Sequence, residues 1–291
     1  MKQNVALVLS GGGARGIAHI GVIEELEKNG FNISSIAGTS MGALVGGMYA
    51  LGKLEVYKDW LCALDKVKMF RLVDFTFMGQ GLVKGDRLFN TLRELIDDGN
   101  IEDLPIPFAA VASDILNKKE VVFTSGSVLD AIRASIAIPT ILAPVRTKDG
   151  LLVDGGVVNN LPIDHVKRTP GDILVVVNVN AAIPADKPAV QENETPARPS
   201  LYQEKIKNFY DYLHKHNPLA REEKFGYFEI LNKTLSLMNY HNCQLALEKY
   251  SPDIVINISN ESCATYDFYK GTEMIETGRR AVTRSLEMYE V

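Results

Sequence analysis

Short apolar runs alternate with helical patterns along the chain, and this order limits the possible folds more than any other feature of the sequence. The apolar runs predict strands at 4–9, 34–37, 107–113, 119–124, 150–153 and 173–179. Between them, the patterns predict helices at 17–29, 41–51 and 127–137. Nearly continuous apolar strands are typical of a parallel sheet with helices on both faces. We therefore expect an α/β fold of three layers, α/β/α, around a mainly parallel central sheet.

The pattern changes after residue 180. Residues 181–200 are rich in Pro, Ala and charged residues, which predicts a mobile connection. The chain then predicts helices at 202–216 and 222–249, a strand at 253–258 and a final helix at 270–288. We interpret residues 1–291 as one α/β domain with a mainly helical insertion at about 181–250. The insertion could serve as a lid or as a dimer surface.

Charge, cysteine content and hydropathy narrow the classes of function. The net charge of -5 gives no reason to expect a nucleic-acid partner. The three cysteines are widely spaced and lack a C-x-x-C pair, which indicates neither a disulfide framework nor a zinc site. No apolar run reaches the roughly 18 residues of a membrane-spanning helix. We expect a cytoplasmic protein whose membrane contact, if any, is peripheral.

A glycine-rich loop follows the first predicted strand. Gly11, Gly13 and Gly16 have the spacing G-x-G-x-x-G of a dinucleotide-binding fingerprint. A dinucleotide site also needs an acidic residue at the end of the second strand, and residues 37–40 offer none. A phosphate loop of the Walker type would end in G-K-[ST], whereas this loop ends in Arg-Gly-Ile. Both observations count against nucleotide binding, so a nucleotide-binding protein is only the alternative interpretation of this loop.

The second predicted strand ends in a turn that is typical of a nucleophilic serine. Residues 38–42, Gly-Thr-Ser-Met-Gly, fit G-x-S-x-G between a strand and a helix. Such a serine lies on a sharp turn, and Gly38 and Gly42 lack side chains that would collide across it. The free N–H groups of the following helix, which begins at Met41, favour nearby negative charge. This context predicts Ser40 as a nucleophile.

An activated serine also needs a base and an oxyanion hole. Consecutive glycines let backbone N–H groups face one point, so the glycine loop could stabilise an oxyanion. Asp154 follows the strand at 150–153 and precedes a Gly-Gly turn, which places its carboxylate at the carboxyl edge of the sheet, where Ser40 also lies. Asp114 is the competing carboxylate, and we interpret it as a structural turn residue. None of the histidines stands at the end of a predicted strand: His19, His165, His214, His216 and His241.

Four segments resemble those of the patatin-like phospholipase family, in its bacterial, single-domain type. They read SGGGARGIAHIGV, GTSMGA, ASIAIPTILAPV and VDGGVVNNLP. The resemblance covers most of residues 4–180 and, more loosely, the final strand and helix. It implies a patatin-like fold, and we expect the N-terminal regulatory or anchoring regions of larger relatives to be absent.

The resemblance implies a Ser–Asp dyad without histidine, with Ser40 as nucleophile and Asp154 as general base. The reaction would be a two-step acyl transfer that needs neither a metal nor a cofactor. Because a carboxyl group has an ordinary pKa of about 3.9, we expect such a base to remain active below pH 6.

The oxyanion donors and the motif glycines follow from the same comparison. The residues expected to form or support the oxyanion hole are Gly11, Gly12, Gly13, Arg15 and Met41. The glycines expected to shape the motifs are Gly16, Gly38, Gly42, Gly155 and Gly156.

The expected substrate is a lipid or another ester: a phospholipid, a lysophospholipid or an acylglycerol. Residues 67–83 concentrate apolar side chains, which could form an acyl-chain wall or an interfacial patch, or could simply cover the core. Transient membrane-surface contact and a homo-oligomer both remain open. A non-catalytic regulatory protein is a second alternative, although Ser40 and Asp154 are both present.

Overall fold

One twisted sheet forms the centre of the computed structural model, which describes residues 2–65, 67–68, 86–139, 142–185 and 227–289. Its strands within these ranges are β1 Gln3–Leu9, β2 Phe31–Thr39, β3 Phe108–Asp114, β4 Lys119–Phe123, β5 Val145–Arg146, β6 Leu151–Asp154, β7 Ile173–Ala181 and β8 Ile254–Ser259. The helices are α1 Ala18–Lys28, α2 Met41–Ala50, α3 Leu54–Cys62, α4 Asp86–Leu95, α5 Val128–Ser135, α6 Tyr227–Tyr250 and α7 Gly271–Tyr289.

The sheet is mainly parallel, as the sequence predicts. Strands β3, β2, β1, β7 and β8 lie side by side in this order and run in the same direction. Strands β4 and β6 pair with β3 in the antiparallel direction, and β5 pairs with β6 in the same way. The antiparallel part at the β3 end of the sheet was not predicted.

Helices cover both faces of the sheet. Val5, Leu7 and Leu9 of β1 face a core formed with α1, α2 and α7. The alternate residues Ala6 and Val8 face the opposite side, where the end of α6 and the segment after β6 pack. Because successive side chains of a strand point to opposite faces, one apolar strand serves two cores. The predicted three-layer α/β/α fold is confirmed.

Most predicted elements agree with the structure to within a few residues. The predicted helix at 17–29 begins with a 3-10 turn, Gly13–Ile17, before α1. Helices α3 and α4 were not predicted. Helix α6 begins at Tyr227, and its Cys243 packs against the sheet, so this half of the predicted insertion is part of a core layer.

Several predicted features fall on residues outside the described ranges. They are the helix at 202–216, the connection at 181–200 beyond residue 185, and the apolar segment at 67–83 beyond residue 68. Within the described ranges, no helix has the length and low charge needed to cross a bilayer.

Candidate active site

Ser40 lies on a strained turn between β2 and α2. Its backbone has φ 54° and ψ -123°, a conformation that costs a non-glycine residue about 1–3 kcal/mol. The Ser40 N–H donates to Ser135 Oγ at 2.8 Å, and this hydroxyl donates to the Val111 carbonyl at 2.6 Å. Helix α5 and strand β3 therefore hold the strained peptide in place.

The glycines on either side of Ser40 allow the turn to pack tightly. A Cβ atom on Gly38 would lie 2.5 Å from the carbonyl group of Gly42. A Cβ atom on Gly42 would lie 2.1 Å from the Leu9 carbonyl oxygen. Because neither neighbour is a flexible side chain, only glycine fits at these two positions. The turn consequently rests against the end of β1, where the glycine loop begins.

Strand β6 brings Asp154 to the turn from the opposite direction. Thr39, the last residue of β2, pairs with Val111 of β3, and Asp154, the last residue of β6, pairs with Ala112. Strand β4 occupies the other edge of β3 at these positions, so β2 and β6 share one edge. The ends of β2 and β6 therefore face each other. The sequence analysis placed both ends at one carboxyl edge of a parallel sheet, which is wrong because β6 is antiparallel.

The Asp154 carboxyl group is buried, with 6% of the residue exposed. Oδ1 accepts a hydrogen bond from the Gly156 N–H at 2.8 Å. Burial raises the pKa of Asp154 to about 6, although the Ser40 hydroxyl and the Gly156 N–H both act to lower it. Although Ser40 is close enough to affect this pKa, Oδ2 has no hydrogen-bond partner of ordinary geometry among the described residues. Oδ2 is thus free to accept a proton.

The glycine loop passes directly beside Ser40. A Cβ atom on Gly11 would lie 3.0 Å from Ser40 Cβ, and one on Gly16 would lie 2.5 Å from Met41 Cβ. The N–H of Gly11 donates to the Asn160 carbonyl at 3.2 Å, so this N–H is unavailable to an oxyanion, contrary to the expectation for Gly11.

Three other N–H groups near Ser40 have no hydrogen-bond partner among the described residues. They belong to Gly12, Gly13 and Met41. Met41 begins α2, so its N–H also carries the positive end of that helix dipole. These groups are available to stabilise a negative charge beside Ser40.

Arg15 connects the loop to neighbouring segments. Its guanidinium group donates to the carbonyl oxygens of Val179 and Cys263 and to Asn180 Oδ1, at 3.1, 3.4 and 3.2 Å. Burial lowers the pKa of Arg15 below its ordinary value. The side chain therefore fixes the loop against the end of β7.

Asp114, the competing carboxylate, is engaged in a turn. Its oxygens accept hydrogen bonds from the backbone N–H groups of Leu116, Asn117 and Leu151, and from the Asn117 side chain. Hydrogen bonding, above all from Asn117, lowers the pKa of Asp114. These contacts agree with a structural role.

None of the contacts given below for the described histidines involves Ser40 or Asp154. His19 is fully buried, its Nε2 lies 2.8 Å from the Ser10 carbonyl, and burial lowers its pKa to about 4. His165 pairs with Glu120, and the His241 ring packs edge-on against Tyr240. His214 and His216 lie outside the described residues.

Among the residues that the structure describes, one group of side chains has donor atoms close enough to hold a metal ion. The donor atoms of Glu120, Asp164 and His165 lie within 4.8 Å of one another. His165 Nε2 is 3.0 Å from Glu120 Oε2, and Asn159 Nδ2 donates to both carboxylates. These ion-pair and amide contacts account for the grouping without a metal.

The sequence analysis missed three buried polar residues of the site. Ser135 holds the Ser40 peptide, and Asn160 and Asn180 contact the glycine loop. Their signal is a polar side chain in an apolar setting, as in VVVNVN, which ends at Asn180. Because a buried polar group must be paired, such a residue points to a partner elsewhere in the chain.

Comparisons with known proteins point to one family. The family model for patatin-like phospholipase matches residues 7–167. An uncharacterized NTE family protein of Mycobacterium tuberculosis is 30% identical over an alignment 335 residues long, which covers 100% of this chain and 93% of that protein. Lysophospholipase NTE1 of Kluyveromyces lactis is 29% identical over 285 residues, which cover 95% of this chain but 19% of that protein.

The fold has a counterpart among solved structures. The crystal structure of VipD from Legionella pneumophila is similar at a TM-score of 0.50 and 15% identity, over 99% of this chain and 67% of that chain. At this identity the likeness concerns the fold alone. The family-model match and the relative that spans the whole chain decide the assignment. The chain belongs to the patatin-like phospholipase family.

Proposed function

We propose that the protein hydrolyses carboxylic ester bonds of lipids, with Ser40 as nucleophile and Asp154 as general base. Family membership makes it a lipid acyl hydrolase in general terms. The observation that carries the finer assignment is the meeting of β2 and β6, which places the strained Ser40 beside a buried carboxyl group of pKa about 6.

In the first half of the proposed reaction, Asp154 accepts the Ser40 proton while Oγ attacks the ester carbonyl carbon. The N–H groups of Gly12, Gly13 and Met41 stabilise the oxyanion of the tetrahedral intermediate. Protonated Asp154 then donates its proton to the leaving alcohol, and the acyl group stays on Ser40. Because the Ser40 peptide is already held in its strained form, little reorganisation accompanies the attack.

In the second half, Asp154 takes a proton from a water molecule, which attacks the acyl-enzyme. The same N–H groups stabilise the second oxyanion, and Ser40 leaves with the proton that Asp154 returns. A general base is most effective when its pKa lies near the working pH. A pKa of about 6 suits this task better than the ordinary value of an aspartate.

Among lipid esters, we propose lysophospholipids as the first substrates to test. A relative aligned with 95% of this chain is named a lysophospholipase. Phospholipids and acylglycerols contain the same acyl ester bond and form the comparison set. The dependence of the rate on acyl-chain length then reports on the part of the site that binds the acyl chain.

The loop geometry favours acyl transfer over nucleotide binding. Gly11 donates its N–H to Asn160, and its Cα faces the Ser40 side chain. The Ser40 side chain takes up space that a pyrophosphate would need at such a loop. The Gly11 N–H is already engaged and cannot donate to a pyrophosphate. Nucleotide binding by the wild-type protein, measured by calorimetry, would support the alternative.

The first prediction concerns Ser40. Because Ser40 supplies the attacking oxygen, Ser40→Ala should reduce hydrolysis of a lysophospholipid and of a p-nitrophenyl ester to background. Ser34→Ala, in the first half of β2, is the matched control and should keep the wild-type rate. Equal rates for Ser40→Ala and the wild-type protein, both folded, would contradict the nucleophile assignment.

A further inference from the structure

Two buried asparagine side chains hold the carbonyl group of Gly11. Asn180 Nδ2 donates to this oxygen at 2.7 Å, and Asn160 Nδ2 donates to it at 3.4 Å. The Asn160 backbone carbonyl accepts the Gly11 N–H at 3.2 Å. Asn160 and Asn180 are 1% and 8% exposed, so these bonds are shielded from water. Both backbone groups of Gly11 are thereby fixed.

The fixed carbonyl group sets the direction of the next N–H. The Gly11 carbonyl and the Gly12 N–H belong to one planar trans peptide unit, in which they point in opposite directions. Glycines have few restraints of their own, so this plane could otherwise rotate. Holding the oxygen on one side therefore directs the Gly12 N–H to the other side.

Arg15 in turn decides which way the Asn180 amide faces. Its Nη2 donates to Asn180 Oδ1 at 3.2 Å, and a guanidinium group can only donate. The amide must therefore present its oxygen to Arg15 and its NH₂ group to Gly11. This contact gives Arg15 a role in the loop that does not require contact with the substrate.

We infer that Asn180, supported by Asn160 and oriented by Arg15, is a positioning residue that aims the Gly12 N–H at the oxyanion. The inference rests on the proposed function, since it concerns the same acyl transfer. Asn180 touches neither Ser40 nor Asp154 by any hydrogen bond recorded for it. Its removal should thus lower transition-state stabilisation and leave the general base unaffected.

The test compares Asn180→Ala and Asn180→Asp with Asn257→Ala. Asn257 accepts a hydrogen bond from Asn178 on the neighbouring strand and, within the described ranges, makes none to the loop, so its variant controls for the loss of a nearby amide. In Asn180→Asp one carboxylate oxygen can still pair with Arg15, while the other would repel the Gly11 oxygen. This second variant tests the inference even if Asn180→Ala folds poorly.

Four quantities should be measured for each variant: kcat per active site, KM, the rate constant for phosphonylation of Ser40 by a fluorophosphonate, and Tm. Loss of a whole oxyanion donor costs about 10²–10³ in kcat, so misdirection of one should cost about 10- to 100-fold. We expect this loss in kcat and in phosphonylation for both Asn180 variants, with KM nearly unchanged and the acid limb of the pH profile still near the Asp154 pKa.

The possible outcomes distinguish a failure of the positioning role from a failure of the proposed function. If the wild-type protein is active and the folded Asn180 variants match Asn257→Ala, the positioning role is wrong and the proposed function stands. If the Asn180 variants change KM alone, the residue acts on substrate binding and the inference is also wrong. If the wild-type protein shows no hydrolysis that depends on Ser40, the proposed function fails and the inference fails with it.

Discussion

At the scale of single residues, the environment of Asp154 decides the chemistry. An exposed aspartate has a pKa of about 3.9 and is a weak base. Burial raises the pKa of Asp154 to about 6. This value does not agree with the sequence-based expectation that the base remains active below pH 6, which used the ordinary pKa of a carboxyl group. A histidine would give an acid limb in the same range, so the pH profile alone does not distinguish a dyad from a triad.

The pH dependence is nevertheless a prediction for this residue. Only ionised Asp154 can accept the Ser40 proton, so kcat/KM should fall about tenfold per pH unit below a limb near pH 6. His19→Gln should keep the same limb, because burial holds the pKa of His19 at about 4 and its Nε2 faces Ser10. Full kcat/KM at pH 5 in the wild-type protein would contradict the raised pKa.

At the scale of elements, Ser135 links helix α5 and strand β3 to the turn that carries Ser40. It accepts the Ser40 N–H and donates to Val111, and it is fully buried. Removing its hydroxyl takes the acceptor from the buried Ser40 N–H and a donor from the Val111 carbonyl, and a buried group left unpaired costs about 1–3 kcal/mol.

Ser135→Ala should therefore lower the free energy of unfolding and also lower kcat, because the strained Ser40 peptide loses its restraint. Ser285→Ala is the control, since Ser285 is buried on α7 and bonds weakly to Val255 at 3.5 Å, far along the chain from the turn. Denaturant unfolding and kcat should be measured for both variants. A Ser135→Ala protein with wild-type values of both quantities would contradict the role given to Ser135.

The elements themselves show what a sequence can predict. Strands β1, β2 and β7 and the turn around Ser40 were predicted, because their signals are local: apolar runs and glycines at set spacings. The direction of β6 was not predicted, because it depends on pairing with β3, which lies far earlier in the chain. Likewise, the Asn180 contact with Gly11 joins residues 169 positions apart, and no local pattern records it.

At the scale of the whole molecule, the buried Asp154 lowers the free energy of unfolding at neutral pH. The native state binds a proton at Asp154 more tightly than the unfolded chain does, because the pKa rises from 3.8 to about 6 on folding. Stability from this group is full below the unfolded pKa and is lost as pH rises through the folded pKa. At 1.36 kcal/mol per pKa unit, the loss at neutral pH is on the order of 3 kcal/mol.

Asp154→Asn removes this cost while its Oδ1 can still accept the Gly156 N–H. The variant should thus have a larger free energy of unfolding than the wild-type protein at pH 7.5, and the difference should shrink toward pH 4. Unfolding in urea at the two pH values provides this comparison. It also ensures that any loss of activity in the variant is not a loss of folding.

The central claim is that Asp154 takes the proton of Ser40 without a histidine, and kcat/KM of Asp154→Asn at pH 7.5 tests it most directly. An amide cannot accept this proton, and members of a catalytic unit are about equally damaging when removed singly. The account predicts that kcat/KM falls nearly to the level of Ser40→Ala. A folded Asp154→Asn protein that hydrolyses the same ester at close to the wild-type kcat/KM would contradict it.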